Sequence, residues 1–132
     1  LDELLEISDF ITIHLPKTKE TANLIGEQAL KKVKPSVRII NAARGGVLDE
    51  AALYEALKSG RVAGAGLDVF EKEPLQADSP LRSAKNIILT PHIAWYSQSA
   101  GRRLVTWALT DVHTYLTGKD SLNGKFAAGP FN

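Results

Sequence analysis

Residues 37–69 read VRIINAARGGVLDEAALYEALKSGRVAGAGLDV, and their changing periodicity decides the fold class. Val37, Ile39 and Ile40 make an apolar, β-branched run that ends at Asn41, the pattern of a strand. Gly45 and Gly46 break it. The spacing then predicts a helix over 49–59, with Asp49 as N-cap, apolar positions 52, 53, 56 and 57 on one face, and Gly60 as its stop. Residues 62–69 return to a strand, small and glycine-rich, which predicts that something packs close to its backbone. Strand, helix and strand over short links make a parallel unit with its helix on one face.

The same alternation continues outward. Upstream, 9–15 (DFITIHL) predicts a buried strand closed by Pro16, followed by a polar loop over 17–21 and a short helix over 26–32, halted by Pro35. Residues 2–6 read as the last turns of a helix. Downstream, 87–89 is a short strand leading into Thr90, Pro91 and His92, and 97–116 is a long helix ending at Gly118. The tail over 119–132 reads as irregular. The class is α/β: a Rossmann-like, doubly wound parallel sheet ending in a long C-terminal helix. Only its second half is expected, because a dinucleotide-binding half opens with Gly-x-Gly-x-x-Gly between its first strand and helix. That motif is absent, and Gly64-x-Gly66 lies within a predicted strand with no helix opening behind it. The expected organisation is a partial domain over 1–118 and a tail over 119–132.

Composition narrows the function classes. Sixteen basic and fifteen acidic residues leave a formal charge of +1, and 44% of the 132 residues are hydrophobic. Lys31, Lys32 and Lys34 read as a solvated helix end, so neither a nucleic acid nor a membrane surface is expected as partner. Cysteine is absent, which removes disulfides, a thiolate nucleophile and Cys-ligated zinc, and suits a cytoplasmic protein. The histidines at 14, 92 and 113 are too scattered for a metal site. The chain opens without Met on LDELL, which reads as the middle of a domain.

In open parallel sheets, ligands bind beyond the carboxyl ends of the strands. His14, Leu15 and Pro16, then Asn41, Ala42, Ala43 and Arg44, then Asp68, and finally His92 each follow a predicted strand. A guanidinium at 44, flanked by alanines and glycines, suits a carboxylate held by two parallel bonds. Loop-tying is the plainer role for Arg44, a solvated surface position for Glu73, and a structural one for His92. Together they match the needs of hydride transfer with a 2-hydroxy acid: a cation for the carboxylate, an imidazole to move the hydroxyl proton, and a carboxylate to orient that imidazole and favour its protonated form. Asp68 suits either a nicotinamide or ribose contact or a cap on the next turn. His113 reads as a helix-surface residue, and Trp95 as core or interface.

Four ordered motifs resemble one family. They are DFITIHLPKTKET over 9–21, INAARGGVLDE over 40–50, GAGLDVFEKEP over 64–74 and LTPHIA over 89–94. The chain is similar, over about 1–117, to the D-isomer-specific 2-hydroxyacid dehydrogenases, which include phosphoglycerate, glycerate, lactate and formate dehydrogenases. The resemblance implies an oxidoreductase moving hydride between NAD, with NADP also admitted, and a D-2-hydroxy acid or 2-keto acid. Arg44 is then the substrate-carboxylate arginine, His92 the acid/base and Glu73 its partner. Cofactor contacts are implied for Leu15, Pro16, Thr21, Ala42, Ala43, Arg44, Asp68, His92 and Ala94, and the substrate pocket would comprise Arg44, His92 and Trp95. Glu73 stands where formate enzymes usually have glutamine, which disfavours formate.

The AWYS stretch over 94–97 is similar to the C-terminal binding protein branch, where the tryptophan lines the substrate pocket. That branch supplies the alternative, a dinucleotide-sensing module that binds proteins. The family also implies a homodimer in the intact protein. Its phosphate loop and substrate domain would lie outside these residues, so the 132-residue piece by itself is expected to bind dinucleotide poorly and to be inactive.

Overall fold

The computed structural model describes residues 1–118; the tail expectation for 119–132 lies outside the described residues. The chain divides after Ala94 into two compact units, Leu1–Ala94 and a second beginning at Trp95.

The first unit runs α1 (Asp2–Ile7), β1 (Phe10–Ile13), α2 (Glu27–Leu30), β2 (Arg38–Asn41), α3 (Glu50–Lys58), β3 (Gly64–Leu67), a 3-10 turn (Pro80–Ser83) and β4 (Ile87–Leu89). The four strands are all parallel and lie in the order β1-β2-β3-β4, with Ile11 opposite Ile39, Ile39 opposite Ala65, and Ala65 opposite Ile87. Successive strands are neighbours, so right-handed crossovers place the connecting helices on one face. Burial follows: Ile11, Ile13, Ile39, Ala65 and Leu67 are buried with Leu5, Leu30, Leu53 and Leu57 in one core. Phe10, Ile40 and Ile88, which point the other way, are exposed. The structure is a Rossmann-like parallel sheet wound on one of its faces.

Local chemistry sets the element ends. The Asp49 side chain accepts the Ala52 amide at 2.9 Å and caps α3, and Gly60 takes φ +76° just beyond its end. The strand expected over 62–69 is shorter, because the Val62 amide bonds back to the Ala56 carbonyl at the end of α3. The expected close neighbour of this strand is the lead-in to β4: a Cβ on Gly64 would lie 3.1 Å from the Asn86 carbonyl oxygen. At Gly66 the nearest atom would be at an ordinary 3.9 Å. The 3-10 turn went unread in the sequence; it is seeded by Pro80 and held by Leu81, which is 1% exposed.

The second unit is described through α4 (Gln98–Leu116), capped by the Ser97 hydroxyl on the Ala100 amide. Tyr96 meets Trp95 edge to face at 5.3 Å, and a Cβ on Gly101 would lie 3.7 Å from the Tyr96 ring. No described helix is long and apolar enough to cross a membrane.

Candidate active site

With all four strands parallel, the chain leaves each at one edge of the sheet, and the polar residues after β2, β3 and β4 gather there. The loop after β2 is built by Asn41, which is only 2% exposed. Its carboxamide oxygen accepts the Ala43 amide at 3.1 Å, and its nitrogen donates to the Arg44 carbonyl at 3.0 Å. This turn displays Ala42 and Arg44 to solvent, and the Arg44 guanidinium donates to the Ala43 carbonyl at 2.7 Å. Of the glycines flanking Arg44, Gly45 leaves no room for a ligand, since a Cβ there would lie 1.8 Å from the Phe70 carbonyl oxygen of the next loop. Gly45 joins the Arg44 loop to the loop that carries Glu73.

Asp68 follows β3 and is 5% exposed. Its carboxylate accepts the Thr90 hydroxyl and the amides of Ile93 and Ala94, the last two at 2.8 and 2.9 Å. Burial pushes this carboxyl up, but those three bonds and the nearby His92 outweigh burial and hold it below its ordinary value. Of the two roles open to Asp68 in the sequence, capping is the one this geometry performs. The cap wraps the backbone around His92, whose amide donates to the Asp68 carbonyl at 2.8 Å and whose φ is +54°. A non-glycine residue in that left-handed region is strained, and such strain concentrates at functional positions.

Glu73 and His92 meet. The His92 Nδ1 lies 2.7 Å from one Glu73 carboxylate oxygen, and the other accepts the Phe70 amide at 3.0 Å. The bond with His92 and then that with Phe70 hold the Glu73 carboxyl below the usual carboxylate range, against a smaller opposing effect of burial. One imidazole nitrogen is thereby oriented by a carboxylate, which leaves Nε2 for a reacting group. A cavity of about 590 Å³ adjoins the pair, lined also by Phe70, Leu75, Arg82 and Leu89. Trp95 falls in the second unit, where it is 53% exposed.

Beyond β1, His14 is exposed and its Nε2 lies 2.9 Å from the Thr12 hydroxyl oxygen. Thr21 donates its hydroxyl to the Pro16 carbonyl at 2.7 Å and accepts the Thr18 amide at 2.8 Å, so its side chain shapes the loop on which Leu15 and Pro16 stand exposed. No group of three or more metal-ligating side chains occurs among the described residues. Sequence reasoning placed Asn41 at the strand-end edge without its loop-building role, and passed over Arg82. A buried strand-end asparagine before a turn was a usable signal for the first; the second gave none.

The profile of the D-isomer-specific 2-hydroxyacid dehydrogenase NAD-binding domain matches residues 1–94. The chain belongs to this family. It is 56% identical over 99 residues to the D-3-phosphoglycerate dehydrogenase of Archaeoglobus fulgidus, covering 75% of this chain and 19% of that protein. It is 43% identical over 119 residues to the glyoxylate reductase of Korarchaeum cryptofilum, covering 90% of this chain and 36% of the other. The structure of D-lactate dehydrogenase with NAD+ from Lactobacillus jensenii superposes with a TM-score of 0.85 at 33% identity, over 92% of this chain and 40% of that one. The chain thus spans about a fifth to two-fifths of the length of these relatives. At its strand-end edge Leu15, Pro16 and the small Ala42 are exposed, the kind of apolar surface on which a planar ring can rest. No Gly-x-Gly-x-x-Gly turn between a strand and a helix stands among the described residues.

Proposed function

We propose that the full protein is an NAD-dependent oxidoreductase that interconverts a D-2-hydroxy acid and its 2-keto acid. The observation that carries this reading is the 2.7 Å contact between His92 Nδ1 and Glu73. Arg44 would hold the substrate carboxylate in a two-pronged bond, fixing C2 and its oxygen relative to the imidazole. In reduction, protonated His92 gives its Nε2 proton to the keto oxygen while C2 gains hydride, and Glu73 stabilises the imidazolium beforehand. In oxidation the neutral imidazole takes the hydroxyl proton. Bound nicotinamide supplies or receives the hydride. Leu15, Pro16, Thr21, Ala42, Ala43, Asp68 and Ala94 would border the cofactor, some through their backbone, and Trp95 the substrate tail.

The reading extends to residues 1–118 as part of the NAD-binding domain, and to a cytoplasmic homodimer. Its support is the lack of cysteine and the exposed apolar side chains Leu104, Trp107 and Leu116 on α4. The test is reduction of a panel of small 2-keto acids by the full-length protein with NADH. H92Q is expected to lower kcat by at least a hundredfold with little change in KM, and R44A to raise KM as well. Measurable NADH binding with no turnover of any 2-keto acid would sink the proposal. The exposed Trp95–Tyr96 pair favours a second reading, a dinucleotide-sensing module that binds proteins. Protein capture that depends on NADH and survives H92Q would support it.

A further inference from the structure

We propose that Arg82 is a positioning residue for the Glu73–His92 pair, an inference that rests on the dehydrogenase reading of that pair. Glu73 lies on the long link between β3 and β4, outside any regular element that would fix it. Loop carbonyls that leave no ladder partner must find other donors. After Glu73 and Pro74, the next two carbonyls find theirs on one side chain: Arg82 Nη2 donates to Leu75 at 2.8 Å and Arg82 Nε to Gln76 at 2.9 Å. A guanidinium presents these donors in a rigid fork, so two carbonyls held together are held in a fixed relation.

The base of the fork is itself immobile. Arg82 stands on the 3-10 turn beside Leu81, which is 1% exposed in the core, and its own amide donates to Ser79 at 3.1 Å. The near end of the same loop is fixed independently. The Glu50 carboxylate on α3 accepts the Glu71 amide, and Gly45 abuts the Phe70 carbonyl. Glu73 therefore sits between two anchors, and the far one is the Arg82 fork, joined at the Gln76 carbonyl by the Ser79 amide at 3.2 Å. Arg82 makes no hydrogen bond to His92 or to the Glu73 carboxylate, so it acts through the backbone of Leu75 and Gln76. If that anchor is released, the loop relaxes, the 2.7 Å contact is lost for part of the time, and the imidazole loses its orientation.

The experiment uses the full-length protein and compares R82A, R82K, E73Q and R82A/E73Q in steady-state reduction of a 2-keto acid. R82A is expected to lower kcat about tenfold with KM nearly unchanged, and R82K to recover part of the loss, because lysine keeps the charge without the fork. In the E73Q background, R82A should cost less than about twofold more, since the group it positions is already impaired. Losses that multiply, or an R82A enzyme with unchanged kcat, overturn the proposal. If R82A does not fold, as judged by its thermal transition, R82K and R82Q carry the same comparison. A second readout separates this failure from failure of the dehydrogenase reading: the downfield proton resonance of the His92 Nδ1–H, assigned by its absence in H92Q. In R82A it should shift or broaden in the direction that E73Q takes further. An unchanged resonance overturns the positioning role even if the protein reduces no 2-keto acid.

Discussion

Asp68 shows how much a single side chain contributes to this site. Its carboxylate satisfies three donors, from Thr90, Ile93 and Ala94, and those donors belong to the turn that holds His92 at φ +54°. D68N keeps the shape but turns an NH2 toward one of those donors, and is expected to lower stability by about 1–3 kcal/mol in urea unfolding. The pH dependence has a definite sign. Asp68 and Glu73 both titrate below their ordinary values in the folded protein, so the folded state holds fewer protons than the unfolded one. The stability they contribute is complete above the ordinary carboxyl range, about pH 4, and is lost as pH falls through the lowered folded values. D68N should therefore flatten the acid limb of the stability curve; a limb as steep as in the unaltered protein would refute this. Gly45 makes a sharper case. A methyl group 1.8 Å from the Phe70 carbonyl oxygen forces two loops apart, so G45A should destabilise by several kcal/mol or impair folding, whereas G60A, open to solvent at φ +76°, should cost about 1 kcal/mol.

Among the elements, α3 does two jobs, and its first turn carries both. Asp49 caps it, and D49A should cost about 1 kcal/mol in thermal or urea unfolding. The next residue, Glu50, holds the Glu71 amide, yet burial first, and then the charges of Glu71, Asp49 and Glu73, push its carboxyl above the ordinary value. A raised folded value means that ionised Glu50 works against folding as pH rises through it. E50Q keeps an oxygen for the Glu71 amide and removes the charge, so its thermal midpoint should exceed that of the parent at pH 7. The gap should close as pH falls and Glu50 takes its proton; a midpoint lower at pH 7 would contradict the assignment. The strands, the Asp49 cap and the gathering of Arg44, Asp68 and His92 at one sheet edge were legible because each depends on residues within a few positions. The Glu73–His92 pairing spans 19 residues; the chemistry of hydride transfer suggested it and family resemblance assigned it, but spacing could not. Spacing also said nothing of Arg82, whose partners are backbone carbonyls that any sequence offers. Gly45 was legible as a special position but not in its purpose, since its neighbour is the distant Phe70.

For the molecule as a whole, sequential strand order and right-handed crossovers have a consequence for the sheet itself. α2 and α3 cover the face of Ile11, Ile39 and Leu67, while Phe10 and Ile88 on the other face are 66% and 71% exposed. Parallel sheets ordinarily have both faces covered, and among the described residues Phe10 and Ile88 have no such cover. The residues of this face lend the first unit little stability, because burial contributes only in proportion to the area removed from water. The Phe10 ring lies under the Arg38 guanidinium at 5.8 Å, a contact of about 0.5–1 kcal/mol at an exposed site. Substituting both exposed residues by threonine keeps the β-branched or small strand character while removing the apolar surface. In the 132-residue chain, F10T/I88T should therefore shift the thermal midpoint by only a few degrees and lower the fluorescence of a dye that reports apolar surface. A drop in midpoint as large as that from L53A in the shared core would mean that this face is packed in solution. The opposite result, a dye signal that falls while the transition stays cooperative, would show that the core on the helical face suffices to hold the sheet.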